Sequence, residues 1–144
     1  MLVQNILKTK EKSSIYWLRE DEPVSKAVEI MARERIGTII ISETGEEPSG
    51  ILSERDIVRE MGKQGLSIVN GSISKIMTAN PVTITGDKTP DEALQIMTDG
   101  RFRHLPVMED GKLVGLISIG DVVKARLSQL SMEKDALEGM VMGR

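Results

Sequence analysis

Apolar residues recur at helical spacing in two places along the chain. Val24, Ala27, Val28 and Met31 stand at i, i+3, i+4 and i+7, and Pro90, Ala93, Leu94 and Met97 repeat the spacing. Each set predicts one face of an amphipathic helix. Thr89-Pro90-Asp91-Glu92 reads as a capping box with proline at the first helical position, whereas the first helix starts less sharply, at Glu22-Pro23. A short strand-like run precedes each helix (Ile15-Tyr16-Trp17-Leu18 and Val82-Thr83-Ile84) and another follows it (Thr38-Ile39-Ile40-Ile41 and His104-Leu105-Pro106-Val107). Turn signals come next, Thr44-Gly45 and Asp110-Gly111, and then a third run, Gly50–Leu52 and Leu113–Ile117. A second helix begins near Asp56 or Asp121. The predicted order is strand–helix–strand–strand–helix, twice: an α/β fold of tandem, pseudo-twofold-related repeats, each a small mixed sheet with packed helices.

The repetition extends to residue identity. Ala27-Val28-Glu29-Ile30-Met31 reads against Ala93-Leu94-Gln95-Ile96-Met97, a shift of 66, and the segment Gly50–Val58 reads against Gly115–Val123, a shift of 65. Half of the paired positions are identical, and the one-residue difference falls in the loop before Gly50, where insertion is tolerated. Val3, Ile6 and Leu7 echo Ile73, Ile76 and Met77, so each repeat is led by a short apolar turn and a linker. The expected division is repeat one at 3–70, repeat two at 71–126, and a C-terminal helix and tail at 127–144. Half of 144 residues is small for an independent core, so one module is expected. The last helix, 121–139, carries Val123, Leu127, Leu130 and Leu137 at loose 3/4 spacing, which Val141 continues just past it. This stripe is expected to pack on the repeat core, with a dimer contact at its far end as the functional alternative. Lys134 interrupts it, and fewer than three heptads give little support for a coiled coil.

Composition narrows the function. A net charge of −3 disfavours bulk binding to nucleic acid or acidic membrane. The absence of cysteine removes disulfides and thiolate chemistry. No apolar run approaches 18 residues and no basic-plus-apolar leader stands at Met1, so a cytoplasmic protein is expected. One His and no metal-ligand or Ser–His–Asp spacing leave an almost empty catalytic inventory, so no enzymatic activity and no metal are expected.

The polar residues worth following are the duplicated ones. Ser53-x-x-Asp56 and Ser118-x-x-Asp121 lie where a strand hands over to a helix. Taken singly, each reads first as a helix cap. A cap needs only one such residue, so a Ser and an Asp kept twice suggest a second partner. Asp suits a pair of ribose hydroxyls, and Ser with the open helix start suits a phosphate. Arg101-Phe102-Arg103-His104 adds three potential cations, either a solvated patch or a phosphate grip. It runs into a strand whose Pro106 predicts a sheet edge or a gap. Trp17, opposite Thr83, reads first as core and otherwise as a cover for an adenine face.

Together these features resemble a cystathionine-β-synthase (CBS) domain pair over about residues 3–124. The marks are the paired repeat, Ile76-Met77-Thr78, Arg103-His104-Leu105-Pro106-Val107 and the two Gly-x-x-Ser-x-x-Asp segments. The chain is similar to stand-alone bacterial two-repeat CBS proteins. The resemblance implies a regulatory module that binds adenine nucleotides, AMP foremost, with ADP, ATP or NAD(H) as other candidates, in clefts between the repeats. It implies one site of Ser53 and Asp56 with Val82, Thr83, Ile84, Arg103, His104 and Pro106, and another of Ser118 and Asp121 with Tyr16, Trp17, Gly37, Thr38 and Ile40. Gly37-Thr38 stands where the second copy has Arg103-His104, which predicts two unequal sites, the one at Asp121 short of a cation. The resemblance also implies a homodimer, a disc of four repeats joined by apolar helix faces, and a regulated protein partner. The rival readings are a dimerisation module without ligand, an enzyme acting on nucleotides, and a binder of S-adenosylmethionine or nucleic acid.

Overall fold

A computed structural model describes residues 1–10 and 15–141. The linker after the first apolar turn and the last residues of the tail lie outside the described residues. Among the described residues there are five α-helices and two small mixed sheets. In chain order they are α1 (Val3–Thr9), β1 (Trp17–Leu18), α2 (Val24–Glu34), β2 (Thr38–Ser42), β3 (Pro48–Ser53), α3 (Glu54–Gln64), β4 (Thr78–Ala79), β5 (Ile84–Thr85), α4 (Pro90–Gly100), β6 (His104–Glu109), β7 (Lys112–Ser118) and α5 (Ile119–Val141). Two 3-10 turns, Leu66–Asn70 and Ile73–Lys75, link α3 to β4. The strand–helix–strand–strand–helix order therefore occurs twice, as the periodicity predicts, and the short β4 is an addition that no pattern announced.

The first sheet has the order β1-β2-β3-β4, with β1 parallel to β2 and the other pairs antiparallel. All five residues of β2 are buried, because β2 is central in its sheet. The core beneath contains Leu18, Val24, Ala27, Met31, Ile39, Ile41, Leu52 and Ile57. The second sheet has the order β5-β6-β7, over a core of Ile84, Ala93, Met97, Leu105, Val107, Ile117 and Val122. Asp110 and Gly111 both take positive φ, 51° and 75°, in the tight turn between β6 and β7. The Thr89 box with Pro90 opens α4 as expected.

β6 is the central strand, not an edge, so the inference from Pro106 is corrected. β5 is only two residues long and its ladder begins at Ile84 opposite Val107. Pro106 sits one residue short of that ladder and removes no bond from it. In the first sheet the corresponding residue, Ile40, donates its N–H to Tyr16 O at 3.2 Å. Val82 and Thr83 accordingly stay outside β5 and are exposed.

The apolar segments that lead the repeats are exchanged. Val3 and Ile6 of α1 lie in the second core, and Ile73 and Ile76 lie in the first. The bonds that hold them correspond. Val3 and Gln4 donate to Lys88 O and Gly86 O at 2.8 and 2.9 Å, and Ile73 and Ser74 donate to Glu22 O and Glu20 O, both at 2.9 Å. Two paired glycines receive the ends of these segments. A Cβ on Gly50 would meet Met77 Sδ at 2.7 Å, and one on Gly115 would meet Leu7 Cδ2 at 2.6 Å. The chain thus divides into two units, one of β1–β4 with α2 and α3, the other of α1 with β5, α4, β6, the end of β7 and α5. A sequence boundary at 70/71 follows chain order, whereas α1 packs by its apolar face into the second core.

α5 departs from expectation. Val122 is its one buried residue, with Ala125 packed against the core. Val123, Leu127, Leu130, Leu137 and Val141 are exposed, Leu127 by 62%. The stripe does not cover the repeat core, because most of the 23-residue helix runs on past it.

Candidate functional site

Asp56 and Asp121 are each the third residue of a helix that follows directly on a strand. Ser53 is the N-cap of α3. Asp56 N–H donates to Ser53 Oγ at 3.2 Å, while Ser53 N–H and Oγ–H donate to Asp56 Oδ2 at 2.9 and 3.0 Å. In the other unit Asp121 N–H donates to Ser118 Oγ at 3.0 Å, and Ser118 N–H donates to Asp121 Oδ2 at 2.8 Å. Both are reciprocal capping boxes. The premise that a cap needs only one of the two residues is therefore corrected: the box employs both, and the duplication alone does not call for a ligand.

What distinguishes the carboxylates is a cation on each. Asp56 Oδ1 accepts from Arg59 Nη2 at 2.8 Å, one turn along α3. Asp56 is buried and the Arg59 side chain is about half exposed; the bond to Asp56 raises the guanidinium pKa further. Asp121 Oδ2 meets Lys10 Nζ at 2.8 Å, and Nζ also donates to Leu116 O at 2.8 Å. Burial pushes the Asp121 carboxyl up, but the bonds from Lys10 and Ser118 and the Lys10 charge outweigh it and hold the pKa below its ordinary value. Neither cation was among the candidates. Arg59 was legible as an i+3 partner on the α3 helix. Lys10 was not, because its partner comes from the other end of the chain.

His104 belongs to the same unit as Asp121 and is half-buried. Its pKa is lowered first by burial and then by the Lys10 charge, against a smaller opposing pull from Asp121. It is neutral at pH 7, so the basic run supplies two cations rather than three. Of these, Arg101 caps the end of α4 with φ 57°, and Arg103 is exposed. Arg103 O accepts from Ile119 N–H at 2.9 Å, and its counterpart Gly37 O accepts from Glu54 N–H, also at 2.9 Å. Each bond ties the start of the first long strand to the first residue of the box helix.

The remaining candidates divide by unit. Tyr16, Trp17, Gly37, Thr38 and Ile40 lie in the unit of Asp56, while Thr83, Ile84, Arg103, His104 and Pro106 lie in that of Asp121; Val82 ends the former. Thr38 is buried opposite Ser53, and Ile40 is buried opposite Ile51. Tyr16 Oη donates to Glu34 Oε2 at 2.9 Å, which raises the phenol pKa. Trp17 is not core: it is 40% exposed and its ring lies so close to Gly45 that a Cβ there would come within 2.8 Å. Ile84 and Pro106 are buried. Among the described residues no three His, Asp or Glu side chains gather as metal ligands, and no helix is long and apolar enough to cross a membrane.

Comparison with known proteins places this geometry. The CBS domain model matches residues 10–63 and again 73–128. The chain belongs to the CBS-domain family. The crystal structure of the CBS-domain containing protein ATU1752 from Agrobacterium tumefaciens superposes with a TM-score of 0.80 at 36% identity, covering 88% of this chain and 99% of that one. The mitochondrial CBS domain-containing protein CBSX3 of Arabidopsis thaliana is 34% identical over 98% of this chain and 72% of its own. The CBS domain pair of protein MJ0100, solved in complex with 5'-methylthioadenosine and S-adenosyl-L-methionine, has a TM-score of 0.76 at 21% identity over 90% of this chain and 98% of that one. That last likeness is one of fold.

Proposed function

We propose that this CBS pair is a regulatory module that binds adenine nucleotides, AMP foremost and ADP, ATP or NAD(H) as alternatives, at Asp56 and Asp121, and performs no chemistry of its own. The observation that carries the reading is the cation on each box carboxylate. A carboxylate fixed by a helix start and neutralised by a long, partly exposed side chain can exchange that partner for ribose hydroxyls. The MJ0100 pair, of like fold, holds adenosine-containing ligands. In this reading Ser53 and Ser118 sit beside the ligand's polar end, while Arg103 offers a further cation. The module reports ligand binding to a regulated partner as a cytoplasmic homodimer. Val58 and Val123, paired by the repeat, are both exposed, by 69% and 40%. The apolar row of α5 is also uncovered. A second copy would cover it.

One observation favours the rival reading of a ligand-free dimerisation module: both boxes are complete caps as they stand. Native mass spectrometry of protein purified without added nucleotide, with a thermal-shift series over AMP, ADP, ATP, NAD, NADH and adenosine, separates the two. The nucleotide reading predicts an adenylate mass on a dimer. It also predicts stabilisation by AMP of about 2.7 kcal/mol per site at ~100 times the dissociation constant. A dimer that none of the six ligands shifts would leave the dimerisation module.

A further inference from the structure

We propose that Lys10 makes the Asp121 site selective for phosphorylated ligands over nucleosides; this rests on the nucleotide reading above. The unequal-site expectation left Asp121 short of a cation. The fold supplies one from outside the repeat that carries Asp121 in sequence. Lys10 is placed there by design of the backbone, not by chance at a surface. α1 is anchored by Val3 and Ile6 in the second core, by its N–H bonds to Lys88 O and Gly86 O, and by Leu7 against Gly115. The helix ends at Thr9, and Lys10, the residue that caps it, reaches both β7 and α5.

The valence of the ammonium group sets the consequence. Nζ has three hydrogens. Among the described residues one goes to Leu116 O and one to Asp121 Oδ2, leaving a third for a further acceptor. The pair is partly shielded, with side-chain exposures of 27% and 24%. A ribose that takes the carboxylate draws it away from Lys10, and a partly buried cation left with a carbonyl alone is costly. A phosphate on the same ligand offers Lys10 a new anion, so a nucleotide repairs what a nucleoside breaks. Neutral His104 does not substitute for Lys10. At Asp56 the equivalent cation, Arg59, is half exposed, and water compensates its loss of a partner.

The test is calorimetric titration of AMP and adenosine into the full chain carrying Asp56→Asn, with Lys10 native or replaced by Met or Arg. Met keeps the apolar stem and removes the charge; Arg keeps the charge. Circular dichroism confirms that each is folded. With Lys10 native, AMP should bind roughly tenfold or more tighter than adenosine, the scale of one charge-assisted hydrogen bond. Lys10→Met should bring that ratio close to one, because adenosine no longer strands a cation and binds tighter while AMP loses its anion partner, and Lys10→Arg should restore most of it. A ratio unchanged in Lys10→Met, or AMP and adenosine weakened alike, overturns the role of Lys10 while leaving nucleotide binding in place. If neither ligand binds with Lys10 native, the nucleotide reading of this site fails and the inference with it.

Discussion

The two strand–helix junctions share a Ser–Asp box and differ in the cation that meets it. Arg59 comes from the helix the box begins, three residues along; Lys10 comes from a helix near the start of the chain. The box is coded within four residues, so duplication of the repeat copies it intact. The cation is a tertiary contact, and the two copies have solved it separately. Equivalent backbone geometry thus carries two different electrostatic environments. Arg59 is half exposed beside a buried Asp56, whereas Lys10 depresses Asp121 and adds to the effect of burial on His104.

The strongest test of backbone equivalence lies in the two cores. Ile39 and Leu105 are paired by the repeat and fully buried. Ile39→Ala and Leu105→Ala should each cost about 2–5 kcal/mol by urea denaturation. Costs that differ by more than that range would break the equivalence of the units.

The boxes come next in size. Ser53→Ala and Ser118→Ala should each lose roughly 0.5–2 kcal/mol, and by similar amounts, since each removes the same cap. Asp121→Ala should cost more than Ser118→Ala, because it also strands the shielded Lys10. Asp56→Ala should stay closer to Ser53→Ala, because Arg59 turns to water. Equal margins in the two repeats would contradict the distinction between the cations.

The smaller effects are titrations. The folded pKa of His104 lies below its unfolded value near 6.5, so its contribution to stability is present above that pH and declines as pH falls through the folded pKa. Stability should drop as pH falls from 7 toward 5, and His104→Asn should flatten that slope; it is the chain's single histidine. Asp121, also depressed, contributes above about pH 3.8 and loses that contribution in stronger acid. Lys10→Met should raise both pKa values as followed by NMR, since Asp121 keeps only the Ser118 bonds against burial and His104 loses a repelling charge. No change in either would place Lys10 away from Asp121 in solution.

Much of this fold was legible because its signals are local. The 3/4 spacing of Val24–Met31 and Pro90–Met97, the Thr89 box and the Asp110-Gly111 turn each act within a few residues. The errors fall where distant segments decide. Pro106 suggested an edge because the shortness of β5 is not written near it. Trp17 suggested core because its cover over Gly45 depends on a loop. The α5 stripe has helical spacing whichever surface it meets, so spacing alone could not say that the repeat core would leave it bare. At the site, Ser53, Asp56, Ser118 and Asp121 came from the repeat, while Lys10 needed the exchange of leading segments that only the folded chain reveals.

The central claim is that Asp56 and Asp121 are two ligand-binding carboxylates rather than caps alone. Calorimetric titration with AMP of the native chain, of Asp56→Asn, of Asp121→Asn and of the double variant tests it most directly. Asn keeps an oxygen for the box and removes the charge, so the far-UV circular dichroism should hold. The account predicts two sites per native chain, one in each single variant and none in the double variant. A double variant that binds AMP as the native chain does, or a native chain that binds none, would contradict it.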